Sequence, residues 1–308
     1  MGKVYFEDND DLIDIRYDNV FKAVFTKNTP ASIGALSRLV SALIGRDVTV
    51  ASILANEPPI ENIKDRQIRF DINCRTKGGE LLDVEMSFNP DPYEPVRLEF
   101  HTGKLFTGQE IRGADKTYDD LKRAYQIAIL VREQFFMDDI FLHNFEYYDP
   151  EHQVALNGRS RIITLELSKL DKIVEKHTSE MSVQEHWAVF FQYLTDKEKR
   201  QKINEILERE EGISMASEVL LRISKDENER ARLLSELKYE LDHQSKLVHA
   251  KREGMKKGLE KGLEKGMQKE RLETARKALK KGLPIKTICE ITSLDEDTIK
   301  SLGPDRGG

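Results

Sequence analysis

At 308 residues, with 39% hydrophobic and 34% charged side chains, the chain is long enough for one sizeable core plus an exposed appendage. No apolar run of about 18 residues occurs, and the N-terminal MGKVYFEDNDD lacks the basic and apolar regions of a signal peptide, so a cytoplasmic protein is expected. The net charge of −6 speaks against nucleic acid until its distribution is seen: Lys246 to Gly282 holds thirteen Lys/Arg and five Asp/Glu, a local +8 that leaves −14 on the remainder.

Residues 11 to 45 read as helical, with Ile13, Tyr17, Phe21, Val24 and Phe25, then Ile33, Leu36, Leu39, Val40 and Leu43, at three- and four-residue spacing. Pro30 suits the first turn of a second helix. Asp18 is either an auxiliary acid or a solvated surface residue. Val48 to Leu54 is a β-branched first strand, followed by a loop with Pro58 and Pro59.

The stretch from Ile68 to Phe88 alternates in character on either side of Gly78 and Gly79, which predicts a hairpin. Phe70, Ile72 and Cys74 share one face of the first strand, opposite Asp71, Asn73 and Arg75. Leu82, Val84 and Met86 share one face of the second, opposite Asp83, Glu85 and Ser87. Apposed polar faces bring Asp71 near Glu85, and two carboxylates on rigid strands make a hard-oxygen site suited to Mg²⁺. The bland alternative is that these are the wet side of a sheet.

From Arg97 to Leu130 the chain reads as a long helix-forming block. Arg97, His101, Lys104, Arg112, Lys116, Lys122 and Arg123 supply cations for DNA phosphates there, or are ordinary surface charges. Ile140 to Tyr148 and Arg161 to Leu167 are strands joined by a polar connection, so the order α, β, β, β, α, β, β describes a mixed α/β core. Beyond Met181 only helix is visible, and Trp187 reads as a core anchor.

Gly254, Gly258, Gly262 and Gly266 then recur every four residues, with Met255, Leu259, Leu263 and Met267 beside them. Each glycine costs roughly 1 kcal/mol against alanine within a helix. Close pairing in a dimer would offset this; a partly frayed basic tether is the alternative. The tail reads as short helices, Ser293 and Glu296 forming a capping box. Asp295, Glu296 and Asp297 argue for a protein-contacting tail, because they would meet phosphate in a helix-turn-helix.

The ordered set of DNVFKAVF (Asp18, Phe21, Lys22, Phe25), the acidic hairpin, then Leu105, Gly113, Tyr118, Leu121 and Ile127, and finally Glu166, Leu167 and Lys169, resembles the PD-(D/E)XK nuclease superfamily. Within it the chain is similar to the recombination-promoting nuclease (Rpn) and transposase family. The resemblance implies a restriction-endonuclease-like mixed-sheet α/β core over residues 1–180. A helical extension (181–249), a Gly-repeat basic helix or tether (250–274) and a short helical tail (275–308) would follow it.

The resemblance also implies a metal-dependent DNA endonuclease acting in RecA-independent recombination or on mobile elements, with Mg²⁺, or alternatively Mn²⁺, held by Asp71 and Glu85. The superfamily's third position, usually Lys and in this family commonly Gln, falls on Ser87, which carries no charge. Lys104 is the candidate for a displaced catalytic lysine, with Gln109 and Gln126 behind it. Glu166 is expected to play a structural role, pairing with a neighbouring basic residue. A double-strand cut needs two sites, so the expected partners are DNA and a second copy of the chain.

The rival is a nuclease fold without catalysis that binds DNA or protein, which Ser87 favours. A DDE-type transposase is disfavoured, since no third separated acid is placed. There is no G-x-x-x-x-G-K-[ST] loop and hence no nucleotide cofactor. No Cys/His cluster offers a structural zinc site, and Cys74 and Cys289 read as reduced thiols.

Overall fold

The computed structural model describes residues 4–57, 69–90, 92–109, 111, 116–132 and 135–303. Pro58, Pro59, Ile68, Arg112 and Gly113, which carried sequence expectations, lie outside the described residues. The described residues form two compact units that divide after Leu237.

The first unit is built on a six-stranded mixed sheet. Its elements run α1 (Asp18–Phe25), α2 (Pro30–Ile44), β1 (Val50–Ile53), β2 (Ile72–Thr76), β3 (Leu81–Ser87), α3 (Glu94–Thr107), β4 (Ala124–Leu130) and β5 (Leu142–Phe145). A small ribbon of β6 (Tyr148–Asp149) and β7 (Val154–Ala155) leads to β8 (Ser160–Glu166). Then come α4 (Asp171–Val174), α5 (Val183–Tyr193), α6 (Arg200–Arg209), α7 (Glu211–Lys225) and the start of α8 (Glu227–Lys280). Strand order is β1-β2-β3-β4-β8-β5, with β3-β4 and β4-β8 parallel and the other neighbours antiparallel.

The hairpin forms as the alternation predicts, Ile72 opposite Val84 and Cys74 opposite Leu82. The amide of Thr76 donates to the carbonyl of Glu80, closing a three-residue loop, and Gly79 takes the left-handed conformation (φ +86°) that such a loop requires at its third position.

Leu82, Val84 and Met86 face a large core with Ile72, Cys74, Tyr125, Ile127, Ile129, Ile163 and Leu165, covered by α1, α2, α5, α6 and α7. Trp187 is fully buried there, its ring 5.6 Å from that of Phe191. Gly212 in α7 has no room for a Cβ against the stem of Arg38 in α2, so these helices approach more closely than larger residues would allow. Among the described residues, α3 is the helix that covers the opposite face of the sheet, over Ala124, Ala128 and Leu130, with Phe135 packed beside it.

Three sequence expectations are corrected. Arg97 to Leu130 is not one helical block: α3 ends at Thr107, and Ala124–Leu130 is a central strand paired in parallel on both sides. Its run AYQIAIL is buried on both faces and apolar except at Gln126, which removes the alternation that marks a half-exposed strand. Phe70 does not share the face of Ile72 and Cys74. The chain bends at Asp71, and Phe70 packs with Leu81, Leu105 and Ala124 beneath α3. The last helix, α10 (Glu296–Ser301), is capped by Asp295, whose carboxylate accepts from the Thr298 amide at 2.7 Å; Ser293 instead ends α9 (Ile285–Thr292) in a left-handed conformation.

In the second unit the remainder of α8 is helical through all four repeat glycines, and Ala275, Ala278, Ile288 and Ile299 close a small core with α9 and α10. Among the described residues no helix is long and apolar enough to cross a membrane.

Candidate active site

The polar face of β3 lies under α3. Asp83, fully buried, pairs across the sheet with Asn73 of β2 and Gln126 of β4. Its Oδ1 accepts from the amide of Asp71 (3.1 Å) and its Oδ2 from Gln126 Nε2 (2.8 Å). Glu85, also buried, takes both terminal nitrogens of Arg97 at 2.9 and 2.6 Å. Arg97 lies one turn from Glu94, which it also meets at 2.5 Å. Burial pushes the Glu85 carboxyl well above the ordinary carboxylate range; Arg97 opposes this, while Asp83 and Asp71 add to it.

Asp71 stands at the bend before β2, in sequence next to the Ile72–Val84 pair and on its Glu85 side. Its Oδ1 meets Lys22 Nζ at 2.8 Å, and the same ammonium meets Asp18 Oδ2 at 2.6 Å. The Asp18–Lys22 spacing of four residues on α1 places the two side chains on one face, and the packing of α1 against β3 aims both at Asp71. Burial, followed by the neighbouring Asp71, raises the Asp18 carboxyl to about 7, although Lys22 pulls it down. Asp18 Oδ1 is buried without a partner.

Ser87 is half-buried at the end of β3, on the face of Asp83 and Glu85. Lys104 is exposed on α3 with its ammonium 5.8 Å from the centre of the Phe100 ring, and the cation on Glu85 is Arg97. The Gln109 amide exchanges two hydrogen bonds with the backbone of Lys122, at 2.9 and 2.7 Å. Gln126, expected on a helix, is on β4 holding Asp83. Glu166 pairs with Lys169 at 2.7 Å.

The ligating atoms of Asp83, Glu85 and His101 lie within 4.8 Å of one another, and all three residues are buried. His101 Nδ1, 3.9 Å from Asp83 Oδ2, has no hydrogen-bond partner, nor do the buried oxygens Gln126 Oε1 and Asn73 Oδ1 on the strands either side of Asp83. Buried polar atoms are ordinarily paired, so a cluster of orphans around two carboxylates fits a divalent cation and its waters. Two carboxylates with one imidazole suit Mn²⁺ as readily as Mg²⁺.

Of the two acids expected to hold a metal, Asp71 is paired with Lys22 and reaches Asp83 through its amide, while Glu85 clusters with Asp83 and His101; Asp83, Arg97, His101 and Lys22 are four groups beside them to which the sequence assigns no such role. In the sequence Asp83 is only one step of the polar-face alternation, Arg97 and His101 read as DNA-facing cations, and Lys22 belongs to a motif. Only the Asp18–Lys22 spacing held a readable signal.

The sequence profile of the PD-(D/E)XK nuclease family transposases matches residues 15–250, a span that contains each of these groups. No curated protein matches the chain, and no solved structure does.

Proposed function

The chain belongs to the PD-(D/E)XK nuclease family transposases, and from that premise we propose that it is a metal-dependent DNA endonuclease, cutting phosphodiester bonds in RecA-independent recombination or at mobile elements. The observation that carries this reading is the buried cluster of Asp83, Glu85 and His101, whose imidazole Nδ1 has no hydrogen-bond partner, with Asp71 tied to Asp83 through its amide. Asp71 and Glu85, with Asp83 and His101 next to them, would hold Mg²⁺ or Mn²⁺, which when bound lowers the pKa of a water and offsets charge on the phosphate.

The chain's own residues do the rest. Lys22, fixed between Asp18 and Asp71, would supply the positive charge that Ser87 lacks to offset charge growing on the attacked phosphate. The Ser87 hydroxyl positions a water. Gln126 holds Asp83 in place from the neighbouring strand. Exposed Lys104, Lys116, Lys122 and Arg123 contact phosphates on either side of the cut. Two copies joined through the glycine-repeat helix would cut both strands.

One observation favours a second reading, a binding module without catalysis. Arg97 already occupies both oxygens of Glu85, and Ser87 adds no charge. Supercoiled plasmid with Mg²⁺ or Mn²⁺ separates the two: the wild type should nick it and Asp71→Ala should not. Equal nicking by both proteins removes the hairpin acids from the chemistry. Binding without nicking by the wild type supports the module.

A further inference from the structure

On the flank of α3 turned away from Arg97 and His101, the helix, β4, β8 and the chain around β5 line an open-mouthed cavity of about 280 Å³. Leu98, Leu130, Phe135, Phe136, Phe145 and Tyr147 give it apolar, largely aromatic walls. Thr164 also lines it, 1% exposed, and its hydroxyl has no hydrogen-bond partner. A buried hydroxyl is ordinarily satisfied, so this one points to a ligand with a polar edge. Arg161 and Glu146, paired at 2.5 Å, add a second polar feature to the lining.

The dimensions select the occupant. Pockets for drug-sized ligands run from about 300 to 1,000 Å³. This one falls just short of that range and holds a single planar ring system. Faces for stacking and a few edge-directed polar groups are what a nucleobase requires once it has left the duplex. The location agrees. Glu85 pairs with Ala128, and Ala128 with Thr164, so the cavity begins two strands from the acids, roughly 10 Å at the usual strand spacing.

We infer that this cavity receives one base of the DNA, swung out of the stack beside the phosphate to be cut. The inference rests on the DNA-cutting reading above. It also assigns a role to Gly103, which lines the cavity and where an added Cβ would meet no atom within 4 Å. Gly103→Leu therefore plugs the space while improving the helix.

The test uses the full-length protein, with Ca²⁺ in place of Mg²⁺ to keep the DNA intact, and a panel of duplexes in which each adenine in turn is 2-aminopurine. Fluorescence reports unstacking and anisotropy reports binding. With the wild type, the base near the cut brightens several-fold. Gly103→Leu still binds but loses most of the brightening, and so does Phe145→Ser, a change at a half-exposed edge strand. Binding without brightening, or equal brightening in all three proteins, overturns the inference and leaves the nuclease reading standing. Absence of DNA binding by the wild type removes both.

Discussion

Arg97 grips both oxygens of Glu85, an internal cation seated on one of the proposed metal ligands. A divalent ion on Glu85 must compete with that guanidinium. Arg97→Ala is expected to cost about 2 kcal/mol without metal, less than breaking a fully buried pair, because 40% of the Arg97 side chain is exposed. Added Mg²⁺ or Mn²⁺ should then raise the melting temperature of Arg97→Ala more than that of the wild type. Equal shifts in a thermal scan would mean that the ion and Arg97 do not share Glu85.

The Lys22–Asp71 pair makes a separate prediction about chemistry. Removing one preorganised donor from a developing oxyanion typically costs 10²–10³ in rate, so Lys22→Met should slow plasmid nicking about 100-fold while DNA binding holds. Ser87→Lys, which restores the superfamily's usual residue, should recover part of that loss in the Lys22→Met background. Wild-type nicking rates in Lys22→Met would dismiss Lys22 from the reaction.

Glu166 and Lys169 form a buried pair that also fixes the loop lining the proposed base cavity. Glu166 accepts the amides of Phe135 and Phe136 at 2.6 and 3.3 Å, and Lys169 reaches Asp138 at 2.8 Å. Lys169→Met leaves a buried carboxylate short of its counter-ion, an expected loss of about 3 kcal/mol in urea unfolding. A change within error would show that the backbone amides alone satisfy Glu166.

The hairpin and its acids were legible because a half-buried antiparallel strand must alternate and its tight loop must admit a left-handed residue. Those constraints are local, and Gly79 and the Leu82/Asp83/Val84/Glu85 alternation display them directly. Ala124–Leu130 hid because a strand buried on both faces has no alternation to show. Arg97 could not be told from Lys104 by sequence. Seven residues apart, they fall on nearly the same side of α3, and only the crossing of that helix over β3 decides which one reaches Glu85.

Cys74 offers a test of the core side of the same hairpin. Burial, with Asp83 adding to it, pushes its thiol up from 9.0 to about 12. Above pH 9 the unfolded chain ionises a thiol that the folded chain keeps protonated. This contribution to stability is therefore complete below pH 9 and is lost as pH climbs toward 12. At pH 8, iodoacetamide should label half-buried Cys289 quickly and Cys74 only as the domain unfolds. Fast double labelling of the native protein would contradict this packing.

The repeat glycines bear on assembly. Gly254, Gly258, Gly262 and Gly266 all sit inside α8, and a Cβ at each would meet nothing within 4 Å. Within a single chain, then, alanine at these four positions fits and should strengthen the helix, by up to ~1 kcal/mol per site. Met255, Leu259, Leu263 and Met267 beside them are exposed. If two copies pair with backbones in close approach, four alanines should separate them even as circular dichroism records more helix. Sedimentation should then shift from dimer to monomer. A variant that gains helix and remains dimeric would put the contact elsewhere and leave the glycines as features of a basic tether.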